Sequence, residues 1–343
     1  MTSLLEERYR RALQLLPRSY RDKWADDMTA TFLERAYRSR PDDLEGVDIS
    51  SPRWPEVASI AVLAVRLRLG GEPGYVAWGE AVRRIALIGL LAHTVFALTG
   101  VVLGIWSVEQ LPGLPEPAQG FTSWWQALWS MSSLLWLPAY LAALHGHRRA
   151  ARVLAVVAFA PVLVGGLTRL YADHGANATW QLSWLAFDAL PLLALVAFHS
   201  DAPPVRLRPW LVALPAGVAV LTGVELLIFH FPDQFLLASV MAGGTGLWCA
   251  GLTIAGIAAL TRAGRASTWP LTLALLTPPV LALHAVLLLD TIGLDAPTQE
   301  YVVPGRAGLG QCVVLLIVGS ALAAVSVRHG RVAPPAAAGE VAP

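Results

Sequence analysis

The sequence predicts an all-α protein: a polytopic membrane bundle of eight transmembrane helices with a small cytoplasmic helical prefix. Three observations carry that reading. The 343 residues are 55% hydrophobic and 14% charged, with a mean hydropathy of +0.55, well above the apolar share of ordinary soluble domains. The charge is divided unevenly. Residues 1–84 hold 14 of the 25 Lys and Arg and 13 of the 24 Asp and Glu, which leaves 11 of each for the other 259 positions. Finally, Ile85 to Ser107 is a run of 23 residues without formal charge, preceded by Arg83 and Arg84. At ~1.5 Å per residue it reaches roughly 34 Å, enough to cross a hydrocarbon core of about 30 Å.

The prefix comes first. Ser3-x-x-Glu6 has the form of a capping box, and Leu5, Tyr9, Leu13 and Leu16 share one helical face up to Pro17. A second helix is expected over 19–38, with Tyr20, Trp24, Met28 and Phe32 as its buried line. The short turn makes the two helices antiparallel neighbours. Residues 39–53 read as a polar linker. A third helix over 55–69 would bury Val57, Ile60, Ala64 and Leu67 before Gly70 and Gly71 end it. Asp22, Asp26 and Asp27 lie among Arg18, Arg21 and Lys23, which reads as a solvated face. The first 16 residues have no uninterrupted apolar core, so no signal peptide is expected and the first span serves as the insertion signal. The prefix is nearly neutral, with no one-sided basic run, and no nucleic-acid partner is implied.

The run from Tyr9 to Ala36 (YRRALQLLPRSYRDKWADDMTATFLERA) carries a resemblance. It resembles the short N-terminal module that precedes many bacterial membrane proteins. That module is a permease prefix in ABC-transporter permeases of the macrolide-exporter type, and it also precedes actinobacterial multi-span proteins of unassigned role, often encoded near PadR-type regulators. The matching positions are Leu13, Leu16-Pro17, Tyr20-Arg21, Trp24, the acidic pair with Met28, and Phe32. The resemblance covers about 60 residues, counting a loose extension to Leu69. It implies a cytoplasmic docking unit, with residues 1–69 as the surface for a protein partner, and supplies no catalytic residue. Macrolide-exporter permeases have few spans and a large extracytoplasmic domain, for which no loop here is long enough.

Beyond the first span, seven more apolar segments are expected at about 124–144, 153–171, 180–198, 210–231, 235–260, 270–289 and 309–327. Arginines decide the threading. With the N-terminus inside, Arg148, Arg149, Arg152, Arg206, Arg208, Arg262, Arg265, Arg328 and Arg331 all fall in inner loops, against Arg306 outside. Glu109, Glu116, Asp173, Asp233, Asp290, Asp295 and Glu300 fall outside. Trp106, Trp124, Trp125 and Trp180 then mark the outer interface, and Trp210 and Trp269 the inner one. The expected organisation is a prefix over 1–84, a bundle over 85–327 and a disordered cytoplasmic tail over 328–343, in a cell membrane with both termini cytoplasmic.

Candidate functional residues are few. Walker, HExxH and GxSxG patterns do not occur, and no cofactor or metal is implied. Cys249 and Cys312 lie in apolar segments and read as buried thiols. His145 and His147 sit beside Arg148 and Arg149, where a basic loop repels cations. Gly100-x-x-x-Gly104 and the small residues Ala242 and Gly246 are expected to let helices pack closely, within the bundle or as a dimer seam. Prolines inside several spans, Pro278-Pro279 above all, are candidate breaks. His93 in the first span could face the bundle and hydrogen-bond there, or else serve as a ligand.

Arg169, Asp188 and Glu225 are charges within spans, and by depth they and His284 all belong to the outer half of the membrane. Ionisable groups there are costly and usually paired. They are expected to converge on a polar pocket open to the outside, with Arg169 reaching Asp188 across consecutive spans, or else to form a structural ion pair. The sequence thus supports a non-enzymatic accessory, sensor or permease-like component with a docking prefix. The alternative is a secondary transporter with an outward-facing polar site.

Overall fold

In the computed structural model, residues 3–68, 76–110, 131–172, 178–198, 205–230, 245–261, 268–292 and 299–332 are described. Every described element is a helix. The chain divides into two compact units, Met1–Glu80 and Ala81–Pro343.

The first unit is built on α1 (Leu4–Leu13), α2 (Arg18–Ser39), α3 (Leu44–Ile49) and α4 (Trp54–Arg66). Ser3 caps α1, its Oγ accepting from the Glu6 backbone N–H at 3.2 Å. The Glu6 carboxylate pairs with Arg10 instead of returning to the cap. Tyr9, Leu13, Leu16, Ile60, Ala64 and Leu67 form one buried cluster. The Tyr9 ring stacks on Phe32 of α2, centroids 3.9 Å apart, and its burial pushes the phenol above its ordinary range. The α2 residue most deeply buried is Thr29, whereas Trp24 is 41% exposed. Asp26 meets Arg10 across the hairpin at 3.0 Å, a solvated pair that contributes little.

The expected polar linker contains α3. Asp43 caps it, Oδ1 accepting from the Gly46 N–H at 3.0 Å. Arg8 of α1 closes its other end, donating from Nη1 to the carbonyls of Ile49 (3.0 Å) and Ser50 (2.9 Å) and to Ser51 Oγ (2.7 Å). Tyr37 of α2 donates to Asp48 at 2.5 Å, and this bond raises the tyrosine's pKa. The final carbonyls of a helix lack partners of their own, and here one guanidinium supplies them. Arg8→Met is therefore expected to make residues 39–53 several-fold more susceptible to limited proteolysis while leaving α1 helical. Unchanged cleavage would mean that α3 holds without the arginine.

The second unit contains α5 (Val76–Gln110, its first turn belonging to the first unit), α6 (Trp136–Leu144), α7 (Arg148–Ala172) and α8 (Ala178–Ala194), followed by α9 (Leu207–His230), α10 (Thr245–Thr261), α11 (Trp269–Ile292) and α12 (Gln299–Val332). Six of these are long and apolar enough to cross a membrane: α5, α7, α8, α9, α11 and α12. The protein is membrane-embedded. Met131–Leu144 and Thr245–Thr261 are apolar helices too short to count by that measure. The rest of the expected second and sixth spans, with Trp124, Trp125 and Ala242, lies outside the described residues, as do Arg262, Arg265 and the tail over 333–343.

Contacts between helix ends fix their relative direction. Arg84 near the start of α5 lies over the Trp269 ring at 4.6 Å. Trp269 begins α11 and stacks on Trp210 of α9 at 6.4 Å. Arg84 of α5 and the starts of α9 and α11 therefore lie together. Tyr140, near the end of α6, donates to the Trp210 carbonyl at 2.8 Å. Arg152, near the start of α7, donates to the Phe198 carbonyl at 3.0 Å, just past α8. At the opposite end Trp106 of α5 meets Phe229 of α9 edge to face at 5.2 Å. Between α6 and α7 the chain turns at Gly146 with φ +79°, a left-handed conformation that glycine adopts without strain.

Candidate functional site

α5 is the helix around which the site is built. Gly89 lies so near α8 that a Cβ there would overlap the Pro191 ring. Gly217 of α9 also approaches α5 closely, since its Cβ would stand 2.8 Å from Val95. One turn beyond Gly89, on the same face, is His93. One turn before Pro191 on α8 is Asp188. His93 Nε2 lies 3.9 Å from Asp188 Oδ1, with the two side chains 22% and 21% exposed. That is longer than a hydrogen bond. The imidazole also stacks on Trp136 of α6, centroids 4.3 Å apart.

His93 and Asp188 edge a cavity of about 280 Å³ that also involves Phe96, Trp184, Phe187 and Trp248. The rings meet at right angles. Trp184 and Phe187 are 6.2 Å apart at 90°, and Phe187 and Trp248 5.2 Å apart at 83°. A second cavity, of about 330 Å³, lies between α7 and α8 and is bounded by Arg169, Trp180, Gln181 and again Asp188. One carboxylate thus borders two cavities, one mostly aromatic and the other polar.

The four in-span residues singled out from the sequence are placed as follows. Arg169 and Asp188 share the second cavity, but among the described residues no ion pair closer than 4 Å joins them. The partner at ion-pair distance is His93. Glu225, half-buried in α9, borders neither of these cavities. His284 is 1% exposed in α11, donates from Nδ1 to the Val280 carbonyl at 2.9 Å, has Gln311 of α12 beside its ring, and borders neither cavity.

Of the helix-packing candidates, Gly246 is buried in α10. A Cβ at Gly100 or Gly104 would meet nothing within 4 Å. Close approach occurs at other glycines, including Gly256, whose Cβ would lie 2.5 Å from Val318, and Gly319, where it would lie 2.5 Å from Thr277. Helices continue through Pro161, Pro191, Pro215, Pro278 and Pro279. His145 donates from Nδ1 to the Leu141 carbonyl at 2.8 Å, closing the end of α6. Among the described residues no three His, Cys, Asp or Glu side chains gather as a metal site, and Cys249 and Cys312 are free and buried.

The aromatic walls were not identified from the sequence. Trp184 lies in the middle of α8 and Trp248 in the middle of the expected sixth span over 235–260, away from the ends where tryptophan marks an interface. That position was the available signal. Comparison with known protein families, characterised proteins and solved structures finds no match for this chain.

Proposed function

We propose that this chain is a ligand-binding component of a membrane, a sensor or permease-like protein whose bundle holds a small molecule and whose prefix docks a cytoplasmic protein. The observation that carries the reading is the cavity edged by His93 and Asp188. An ionisable residue inside a span costs on the order of 2.5–3.5 kcal/mol on insertion scales and usually marks a pathway or a site. Pockets between helices of a bundle are common ligand sites. The prefix contributes a compact surface without catalytic groups, and its resemblance to the permease prefix favours docking.

The bundle has eight spans in this reading, with both termini cytoplasmic. Supporting this, α5, α9 and α11 start at one end, which requires an even number of crossings between each and the next. Counting α6 and α10 as crossings satisfies that requirement, and omitting them does not. The positions of the loop arginines agree.

A second reading, a secondary transporter, is favoured by the polar cavity that runs from Asp188 to Arg169 near the end of α7. In the eight-span threading that end is outside.

Reporter fusions test the threading. A reporter at Pro343 or after Arg265 is expected to read cytoplasmic, and one near Pro115 or Pro297 external. A cytoplasmic signal at Pro297 would overturn the eight-span arrangement. A thermal-shift screen of the purified chain in detergent tests the cavity, since a ligand bound to the folded state raises its melting temperature. Ala92→Phe, which places a ring in the cavity, is expected to remove the shift. A shift that survives in Ala92→Phe would place the ligand elsewhere.

A further inference from the structure

We propose that the aromatic cavity binds a small monovalent organic cation, a quaternary ammonium or protonated amine carried on an apolar body, with Asp188 as its counter-charge. The proposal rests on the reading of the bundle as ligand-binding and names the class of ligand.

The chemistry of the walls makes the choice. Phe96, Trp184, Phe187 and Trp248 border the space together with one carboxylate. Aromatic faces carry negative electrostatic potential and attract cations, quaternary ammonium groups among them. Phe187 stands at near right angles to both Trp184 and Trp248, so a ligand beside these rings meets both ring faces and ring edges.

Asp188 supplies the only formal negative charge among the described residues around the space. An ionised carboxylate only accepts hydrogen bonds and in a span requires a partner. The imidazole that faces it stands 3.9 Å away, beyond hydrogen-bonding range, and Arg169 forms no ion pair with it among the described residues. A ligand cation completes the neutralisation.

Other ligand classes fit less well. One carboxylate and one imidazole fall short of the donor sets that Zn²⁺ or Ca²⁺ take, and the remaining walls are largely apolar. An anion would enter against the charge of Asp188. Size sets a further limit: about 280 Å³ is at the small end of ligand pockets. One carboxylate sets the ligand's charge at one.

The test is equilibrium dialysis of labelled benzyltrimethylammonium against the purified full chain in a neutral detergent, with phenylacetate and benzyl alcohol as anionic and neutral comparisons. Saturable one-site binding of the cation is expected, competed by the unlabelled cation and not by phenylacetate. Asp188→Asn is expected to weaken binding at least tenfold. Trp248→Leu is expected to weaken it about three- to tenfold, while Trp248→Phe retains most of the affinity, because a ring face is kept. Phenylacetate or benzyl alcohol binding as tightly as the cation, or equal affinity in wild type and Asp188→Asn, overturns the proposal. If either comparison compound binds saturably and loses binding in Ala92→Phe, the ligand-binding reading stands without the cation. If none of the three compounds binds, both fall. The wild-type competition result does not depend on any variant folding.

Discussion

Leu13→Ala is expected to destabilise the first unit by about 2–5 kcal/mol, the usual cost of emptying a fully buried leucine site. Leu13 is 1% exposed and packs in the cluster that joins α1 to α4, with Tyr9, Leu16, Ile60 and Ala64. A unit of this size has little stability to spare, because small domains bury a modest fraction of their surface and whole domains are stable by only about 5–15 kcal/mol. Hydrogen exchange on the intact protein gives the measurement. Peptides from residues 3–68 should lose most of their protection, while peptides from α5 to α12 should keep theirs. Trp24→Ala removes a larger side chain but one that is 41% exposed, and no more than about 1 kcal/mol is expected from it. If Leu13→Ala leaves exchange in the prefix unchanged, the cluster is not what holds the unit together.

The contrast between these residues shows what helical periodicity can specify. A step of four residues advances a helix by about 400°, some 40° past a full turn. On α1 the steps from Leu5 to Tyr9 to Leu13 drift by only about 80° in all, so the three share one face and are buried, and Leu16, in the turn after α1, is buried with them. On α2 the steps through Tyr20, Trp24, Met28 and Phe32 are all of four residues, and the drift accumulates. The buried line runs through Thr29 and Phe32, which stacks on Tyr9, leaving Trp24 at its edge. In the linker, Asp43 three residues before Gly46 was a legible cap. The Arg8 contacts that secure α3 span more than 40 residues, beyond the reach of any local pattern.

In the bundle the same division applies. Asp188 stands out in an apolar run, and its importance follows from the cost of burying a charge. The sequence points to a facing group on the neighbouring span, because consecutive helices commonly pack together. The structure does bring Arg169 to the same cavity, but the group at ion-pair distance is His93, 95 positions earlier. Sequence spacing gives depth in the membrane. It does not say which non-consecutive helices meet, and here that is decided by where a glycine lets α5 approach α8.

That approach yields the second large effect. Gly89→Leu is expected to lower the melting temperature of the protein in detergent and to weaken cation binding at least tenfold. Gly89 is buried, and even a single added carbon would overlap Pro191, which is itself buried within α8. The group in the way is the rigid proline ring and not a flexible side chain that could move aside, so the helices must part. Overpacking of this kind costs about 1–3 kcal/mol, sometimes more. Gly89 and His93 are four residues apart on α5, and Asp188 and Pro191 three apart on α8, so the glycine–proline contact lies one turn from the imidazole–carboxylate contact. Parting the helices at the first widens the second, and the new side chain also enters a cavity that Gly89 borders. Gly100→Leu is the matched comparison on the same helix. Nothing stands within 4 Å of its Cβ position, so melting temperature and binding should stay at wild-type values. Wild-type binding in Gly89→Leu would show that the α5–α8 approach does not set the site. A loss of stability or of dimer in Gly100→Leu would instead show that its outward face is a seam between copies of the chain.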